Sequence, residues 1–203
     1  MRLLKAMSVV VLLICCQLIS NAQNITLTCP SNIIIKADAG KEGAVVSFSS
    51  LTLAPDWGSP TYTPASGSFF RLGSTSVTLA TTSGQKCSFT VTVTDNEPPT
   101  LTELSLSTER LWPASNKMKK VGVYYTASDN TENVKSVVTV SSNSETLVDD
   151  WEIVNEHLVR LKASRLPDGE PRIYTITVTA TDEAGNKTTR ATTIAVSKTM
   201  ISQ

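Results

Sequence analysis

Few residues of this 203-residue chain have types and spacing that could do chemistry. Nucleophilic catalysis needs a base that a third group holds in place. The one histidine, His157, follows Glu156 and precedes an apparent strand, so we expect it at a strand edge on the surface. Asp149 and Asp150 are adjacent in a polar segment and are expected in a solvated loop rather than as a hydrolytic pair. No catalytic residue is therefore predicted, and we do not expect an enzyme.

Among metal ions, calcium is the one whose ligands the sequence comes closest to supplying. The segment Asp95–Glu97 offers hard oxygen ligands between two β-rich halves, but calcium takes about 6–8 oxygens and this segment supplies about half. Asp129 and Asn130, or Asp182 and Asn186, complete a shell only if the fold brings one of these pairs to the junction. Turns and strand ends explain the same residues. The sequence therefore predicts no metal and no cofactor.

The first 22 residues have the pattern of a signal peptide. Arg2 and Lys5 form a positive n-region, and residues 7–18 form an apolar run close to the length of an h-region. Small residues within 20–22 predict cleavage before Gln23. Because the apolar run is shorter than the roughly 20 residues that span a bilayer, we expect a secreted or surface-associated mature chain without a membrane span.

The four cysteines divide between this leader and the mature chain. Cys15 and Cys16 lie in the leader, where lipidation is an alternative that is disfavoured because neither follows a small residue. Cleavage leaves Cys29 and Cys87 in an oxidising compartment, and both fall on inward positions of apparent strands. We predict a buried disulfide between them, with two free thiols as the alternative.

Composition and charge exclude some functions. Without the leader the chain has 16 basic and 18 acidic residues, a net charge of −2. It therefore lacks the excess of positive charge that is typical of nucleic-acid-binding proteins. Threonine, serine and valine dominate, and glycine, proline, asparagine and aspartate separate them. This composition favours many short strands over helices.

Strand periodicity organises the chain around residues 87–100. Cys87, Phe89, Val91 and Val93 alternate with polar residues, which predicts a strand with one buried face. The acidic, proline-containing segment 95–99 then ends the strand and is predicted to be a linker. Earlier strands are expected around residues 25–29, 33–35, 44–50, 61–63 and 74–80.

The second half repeats this periodicity without cysteines. Alternating apolar positions mark strands at residues 121–127, 138–140, 159–163, 174–180 and 194–196, with turns at 167–169 and 183–186 between them. We therefore predict an all-β chain of two tandem immunoglobulin-like β-sandwich modules, residues 23–97 and 98–199, after the signal peptide.

The first module resembles the hyalin repeat (HYR). The matching blocks are CPSNI at 29–33, GAVVSF at 43–48, PASGSFFRLG at 64–73 and CSFTVTVTD at 87–95. The resemblance implies an immunoglobulin-like fold and extracellular adhesion or binding without catalysis. The chain departs from the family pattern at residues 56–58 and 82–85, where two loops differ.

The second module resembles an immunoglobulin-like module of bacterial secreted and surface proteins. The similarity lies in residues 111–118, 127–130 and 181–186. Together with the leader, this pairing of modules favours a bacterial surface or secreted protein.

A non-enzymatic adhesion or interaction protein is the function that these patterns favour, with an extracellular protein or glycan as ligand. The alternative is a carbohydrate-binding accessory protein, which a flat aromatic platform of Trp57, Trp112 and Trp151 would favour. Trp57 lies in a loop stiffened by Pro55 and Pro60, and we predict it as a binding contact. A lid that folds back over the sandwich end is the other interpretation.

Overall fold

The computed structural model describes residues 27–49, 51, 53, 57–144 and 149–198. The predicted leader, its cleavage site before Gln23, and Cys15 and Cys16 lie outside these residues. Within them the chain forms sixteen strands and no α-helix. The strands are β1 Ile33–Lys36, β2 Gly43–Val46, β3 Pro60–Thr63, β4 Ser68–Arg71, β5 Gly73–Thr81, β6 Lys86–Thr94, β7 Thr100–Leu101, β8 Ser105–Leu106, β9 Arg110–Leu111, β10 Met118–Tyr124, β11 Ala127–Ser128, β12 Lys135–Ser142, β13 Trp151–Asn155, β14 Leu158–Lys162, β15 Ile173–Thr181 and β16 Lys187–Val196.

Strands β1 to β6 enclose the first of two separate cores. They form a four-stranded sheet in the order β1-β6-β5-β3 and a two-stranded sheet, β2-β4. Strand β6 supplies three core residues, Phe89, Val91 and Val93, and its intervening threonines lie on the outer face. The predicted alternation of this strand is confirmed. Burying a side chain of this size stabilises the fold by about 1.5–3 kcal/mol. The core consists of Ala44, Val46, Phe70, Val77, Phe89, Val91 and Val93.

The disulfide between Cys29 and Cys87 is confirmed, with 5.8 Å between the two Cα atoms. The strand expected around Cys29 is absent from the described part of that segment, since residues 27–32 are irregular. Pro30 lacks an amide donor and restricts the residue before it. The Asn32 side chain instead accepts the Thr90 amide of β6 at 2.9 Å, and regular pairing with β6 begins at the next residue.

Strands β7 to β16 enclose the second core. One sheet has the order β12-β15-β16-β9 and another has the order β13-β14-β10-β8, while β7 and β11 form a short pair. The predicted inward residues of β15 are all buried, as are those of β14. The core consists of Leu101, Leu104, Leu111, Val121, Val123, Val138, Val159, Leu161, Ala163, Tyr174, Ile176, Val178, Ala180, Ile194 and Val196.

The two halves share one strand arrangement. In the first half, the sheet β1-β6-β5-β3 holds a short early strand, β1, parallel to the last strand, β6. In the second half, the sheet β9-β16-β15-β12 holds β9 parallel to the last strand, β16, in the same way. The facing pairs, β2-β4 and β10-β14, are antiparallel in both. This is the arrangement of an immunoglobulin-like sandwich, so the predicted all-β class is confirmed.

A buried ion pair corrects one prediction from the sequence. Asp149 is exposed, but Asp150 is only 2% exposed, so a solvated loop is wrong for Asp150. Its carboxylate pairs closely with Arg172 and lies 3.5 Å from the Lys162 ammonium. Burial lowers the pKa of Arg172, but the hydrogen bond with Asp150 and the charge interactions with Tyr174 and Asp150 together outweigh burial and raise that pKa above its usual value. The Tyr174 hydroxyl donates to the Lys162 carbonyl at 2.9 Å and also lies 3.2 Å from the Asp150 carbonyl oxygen.

Candidate functional site

Three carboxylates converge where the chain leaves the first core. Asp95 directly follows β6, Asp129 follows β11 and Asp182 follows β15. One oxygen from each lies within 4.8 Å of the others. From the sequence, the segment Asp95–Glu97 alone offers about half of a calcium shell, and Asp129 or Asp182 adds to it only if the fold brings one of them to the junction. The fold brings both carboxylates there, so a shortage of ligands is no longer a reason to expect no metal.

Each carboxylate of this cluster is held by local hydrogen bonds. Asp95 Oδ1 accepts the Glu97 amide at 3.0 Å, and Asp129 Oδ2 accepts the Thr131 hydroxyl at 2.7 Å. Asp182, which is 7% exposed, accepts the amide and the side chain of the residue four positions later, both at 2.8 Å. These bonds fix the orientation of the carboxylates.

Three oxygen atoms in this region are buried without a hydrogen-bond donor among the described residues. They are Asp95 Oδ2, Asp129 Oδ1 and Asn130 Oδ1, each exposing less than 1 Å². None of the ion pairs found among the described residues involves the cluster. Buried polar atoms normally have partners, so these oxygens are candidates to bind a further group, either a water molecule or a cation.

Side chains from the second half also hold the connecting segment. Asn186 Nδ2 donates to the carbonyl oxygens of Asp95 and Glu97, at 3.4 and 3.3 Å. Asn130 Nδ2 donates to the Lys41 carbonyl at 2.9 Å, which reaches into the turn between β1 and β2. The Gly40 amide of that turn donates to the Glu97 carboxylate at 2.7 Å. The junction is therefore a bonded interface.

The predicted contact residue Trp57 lies at the other end of β6 from Asp95. It is half-buried, and its carbonyl oxygen accepts the Thr82 hydroxyl at 3.2 Å. Gly58 has a φ of 68°, and a Cβ atom there would come 2.0 Å from Thr82 Oγ1. The end of the loop is thus pinned to the turn between β5 and β6. Whether Trp57 contacts a ligand stays a prediction.

The three tryptophans have different surroundings. Trp151 packs edge-on against Tyr174, with ring centroids 6.2 Å apart, and contacts the second core. Trp112 is 41% exposed, and Trp57 lies in the first half. Trp151 is therefore committed to packing rather than to an aromatic platform.

His157 lies exposed in the turn between β13 and β14, as predicted. Its Nδ1 atom is 3.1 Å from the Val123 carbonyl oxygen, and its ring lies 4.8 Å from the Tyr125 ring. Both aromatic rings line an open groove of about 590 Å³, together with Glu156 and Ser136. The Tyr125 hydroxyl is buried without a partner among the described atoms.

An apolar pair on the β2-β4 sheet was missed from the sequence. Val45 and Phe69 face each other across the two strands and are 54% and 50% exposed. A Cβ atom on Gly43 would lie 2.7 Å from the Phe69 ring, so the ring rests over that glycine. The signal was present in Val45-Val46 and Phe69-Phe70, because one of two consecutive apolar strand residues must face outward.

Comparisons with known proteins add only distant structural likeness. No family model and no curated protein matches the chain. Among solved structures, Sidekick-1 immunoglobulin domains 1–5 match with 12% identity and a TM-score of 0.42, covering 85% of this chain and 38% of that one. Drosophila N-cadherin EC1-3 matches with 16% identity and a TM-score of 0.34, covering 85% and 66%. The eight N-terminal Ig domains of Down Syndrome Cell Adhesion Molecule match with 7% identity and a TM-score of 0.37, covering 82% and 26%.

The chain spans less than two thirds of the length of each of these three structures. At these identities the likeness concerns the fold alone. In the part of the chain that the structure describes, no helix is long and apolar enough to cross a membrane.

Proposed function

We propose that this chain is a non-enzymatic adhesion or interaction protein, secreted or held at the cell surface. It has two immunoglobulin-like modules, residues 23–97 and 98–199, and the first is a hyalin-repeat module. The blocks that carry the hyalin-repeat resemblance support this assignment, because they supply β2, β4, most of β6 and both cysteines of the disulfide. Its ligand is an extracellular protein or glycan.

The disulfide supports an extracellular location. Structural disulfides persist in oxidising compartments and are rare where thiols are kept reduced. The bond between Cys29 and Cys87 closes most of the first half, with a sequence separation of 58 residues. An exported chain with a cleaved leader is consistent with that bond.

The exposed pair of Val45 and Phe69 is the observation that carries the binding proposal. It places an aromatic and a branched side chain side by side on the outer face of the β2-β4 sheet. The backbone of Gly43 supports the Phe69 ring, so the ring loses little freedom on contact. Aromatic residues are enriched at protein interfaces. We assign this face, called here the Val45–Phe69 pair, to a protein partner.

Attachment of coated beads tests the function. Beads carrying the purified protein are mixed with intact cells of the source organism, with extracellular matrix proteins and with one another. Beads carrying the same protein after reduction and alkylation are the control, because they present an identical sequence without the disulfide. Saturable attachment of native beads above this control supports the proposal. Attachment no greater than the control in all three settings contradicts it.

A carbohydrate-binding role is the second candidate, and the groove beside Tyr125 favours it. The groove is lined by the rings of Tyr125 and His157 and by the polar side chains of Glu156 and Ser136, in about 590 Å³. Sugar sites combine apolar surface with a few placed polar groups. A glycan array with the wild type and with Glu156→Gln separates the candidates. If the wild type binds a glycan on the array and the variant does not, the result favours the carbohydrate-binding role. If the wild type binds no glycan, the result favours the protein-partner role.

A further inference from the structure

We propose that the cluster of Asp95, Asp129 and Asp182 binds one calcium ion. This inference stands on the geometry of the junction and does not depend on the proposed function. The three carboxylates each present one oxygen within 4.8 Å of the others. Like charges this close repel, and a cation between them relieves the repulsion.

The buried oxygens without donors supply the second, independent observation. Asp95 Oδ2, Asp129 Oδ1 and Asn130 Oδ1 are shielded from solvent, and no described donor reaches them. The other oxygens of Asp95 and Asp129 are used by local amide and hydroxyl groups. The cluster is therefore arranged so that each of these carboxylates keeps one oxygen for a further partner.

The chemistry of these donors selects calcium among common metal ions. All of the available ligands are carboxylate and amide oxygens, which suit hard cations, and no histidine or cysteine lies in the cluster. The ligands come from three separate strand ends rather than from one rigid loop. Calcium accepts such irregular geometry with about 6–8 oxygens, whereas magnesium demands near-ideal octahedral geometry. Water completes the shell.

Such an ion would join the two halves of the chain. Asp95 belongs to the segment that leaves β6, while Asp129 and Asp182 belong to the second half. Asn130 extends the same network to the Lys41 carbonyl of the first half. Bound calcium would therefore fix the orientation of one half relative to the other.

Calorimetric titration of the metal-free protein tests the site. We expect one calcium ion per chain with a dissociation constant of about 0.1–1 mM, the range of extracellular calcium modules. Because calcium binds only the folded state, about 10 mM calcium should raise the melting temperature by roughly 3 °C or more. Magnesium at the same concentration should give a smaller shift.

Two variants and one control make the result specific. Asp129→Asn and Asp95→Asn remove a charge but keep the acceptor for the local hydrogen bond, so both should fold with a metal-free melting temperature near wild type. Each should lose at least about tenfold in calcium affinity, as expected for loss of a ligand charge. Asp149→Asn removes the same charge from an exposed position and should bind calcium as the wild type does.

Three outcomes would overturn the proposal. The first is no saturable heat and no thermal shift in the wild type. The second is an equal response in all three variants, which would place any bound ion elsewhere. The third is an equal response to magnesium and calcium, which would refute the assignment to calcium.

Discussion

Asn186 donates from its side-chain amide to the carbonyl oxygen of Asp95, 91 residues earlier in the chain, at 3.4 Å. The same nitrogen also reaches the Glu97 carbonyl and the Asp182 carboxylate. One side chain thus holds the connecting segment against the turn after β15. These bonds tie down a segment that is rich in proline and acidic residues.

Replacing Asn186 with alanine should loosen the junction. The variant loses the side-chain donor for both carbonyls, at a cost of about 1 kcal/mol per lost hydrogen bond. Small-angle X-ray scattering should show a broader distribution of interatomic distances than in the wild type. Thr188→Ala, a change at a half-buried strand residue in the same hairpin, is the control and should leave the scattering curve unchanged. Identical curves for all three proteins would show that Asn186 does not hold the segment.

Loss of the disulfide should destabilise the first half selectively. In the chain-entropy model, closing a loop with a sequence separation of 58 residues contributes about 4 kcal/mol. Cys87→Ala should therefore unfold or strongly destabilise β1 to β6, while the second half melts nearly as before. Differential scanning calorimetry measures both transitions. An unshifted first transition, or two titratable thiols in the native protein, would contradict the account.

Breaking the buried ion pair should destabilise the second half. Arg172→Met leaves Asp150 buried without its main partner, which should cost about 3–5 kcal/mol of unfolding free energy. The double variant Arg172→Met with Asp150→Leu should recover much of that loss because no charge remains buried. Urea denaturation of the two variants and the wild type measures the difference. A double variant no more stable than Arg172→Met would show that the pair is required for more than charge compensation.

Trp57→Ala distinguishes a contact residue from a lid. As a contact, Trp57 should leave unfolding free energy within about 0.5 kcal/mol of wild type when truncated, while bead attachment falls. As a lid it should cost about 3–5 kcal/mol. Thermal denaturation and attachment per folded molecule are measured on the same preparation. Lost stability with unchanged attachment would refute the binding role of Trp57.

The local sequence pattern was enough to predict the strands, but it was not enough to predict the cluster of Asp95, Asp129 and Asp182. The alternation of Phe89, Val91 and Val93 is a property of consecutive residues, so β6 and its buried face were predictable. Asp150, which directly precedes β13, was misassigned because its burial depends on Arg172, which directly precedes β15. The meeting of Asp95 with Asp129 and Asp182 depends on how strands from both halves pack, which periodicity does not encode.

The Val45–Phe69 pair lies between these cases. The alternation rule requires that one member of each apolar doublet face outward, but only strand pairing shows that Val45 and Phe69 meet on the same face. The positive φ of Gly58 and its close approach to Thr82 likewise depend on a turn 24 residues further along the chain. Contacts of this kind come from the tertiary fold.

The most direct test of the binding proposal compares Val45→Lys with Val137→Lys in the bead assay. Both valines lie on strands and are about half exposed, at 54% and 49%, so both variants should keep wild-type stability within about 0.5 kcal/mol. Val45→Lys places a charge beside the Phe69 ring, whereas Val137→Lys changes the second half. We predict that attachment falls at least about tenfold for Val45→Lys, equivalent to 1.4 kcal/mol or more, and is unchanged for Val137→Lys. Equal attachment of both variants and the wild type would contradict the account.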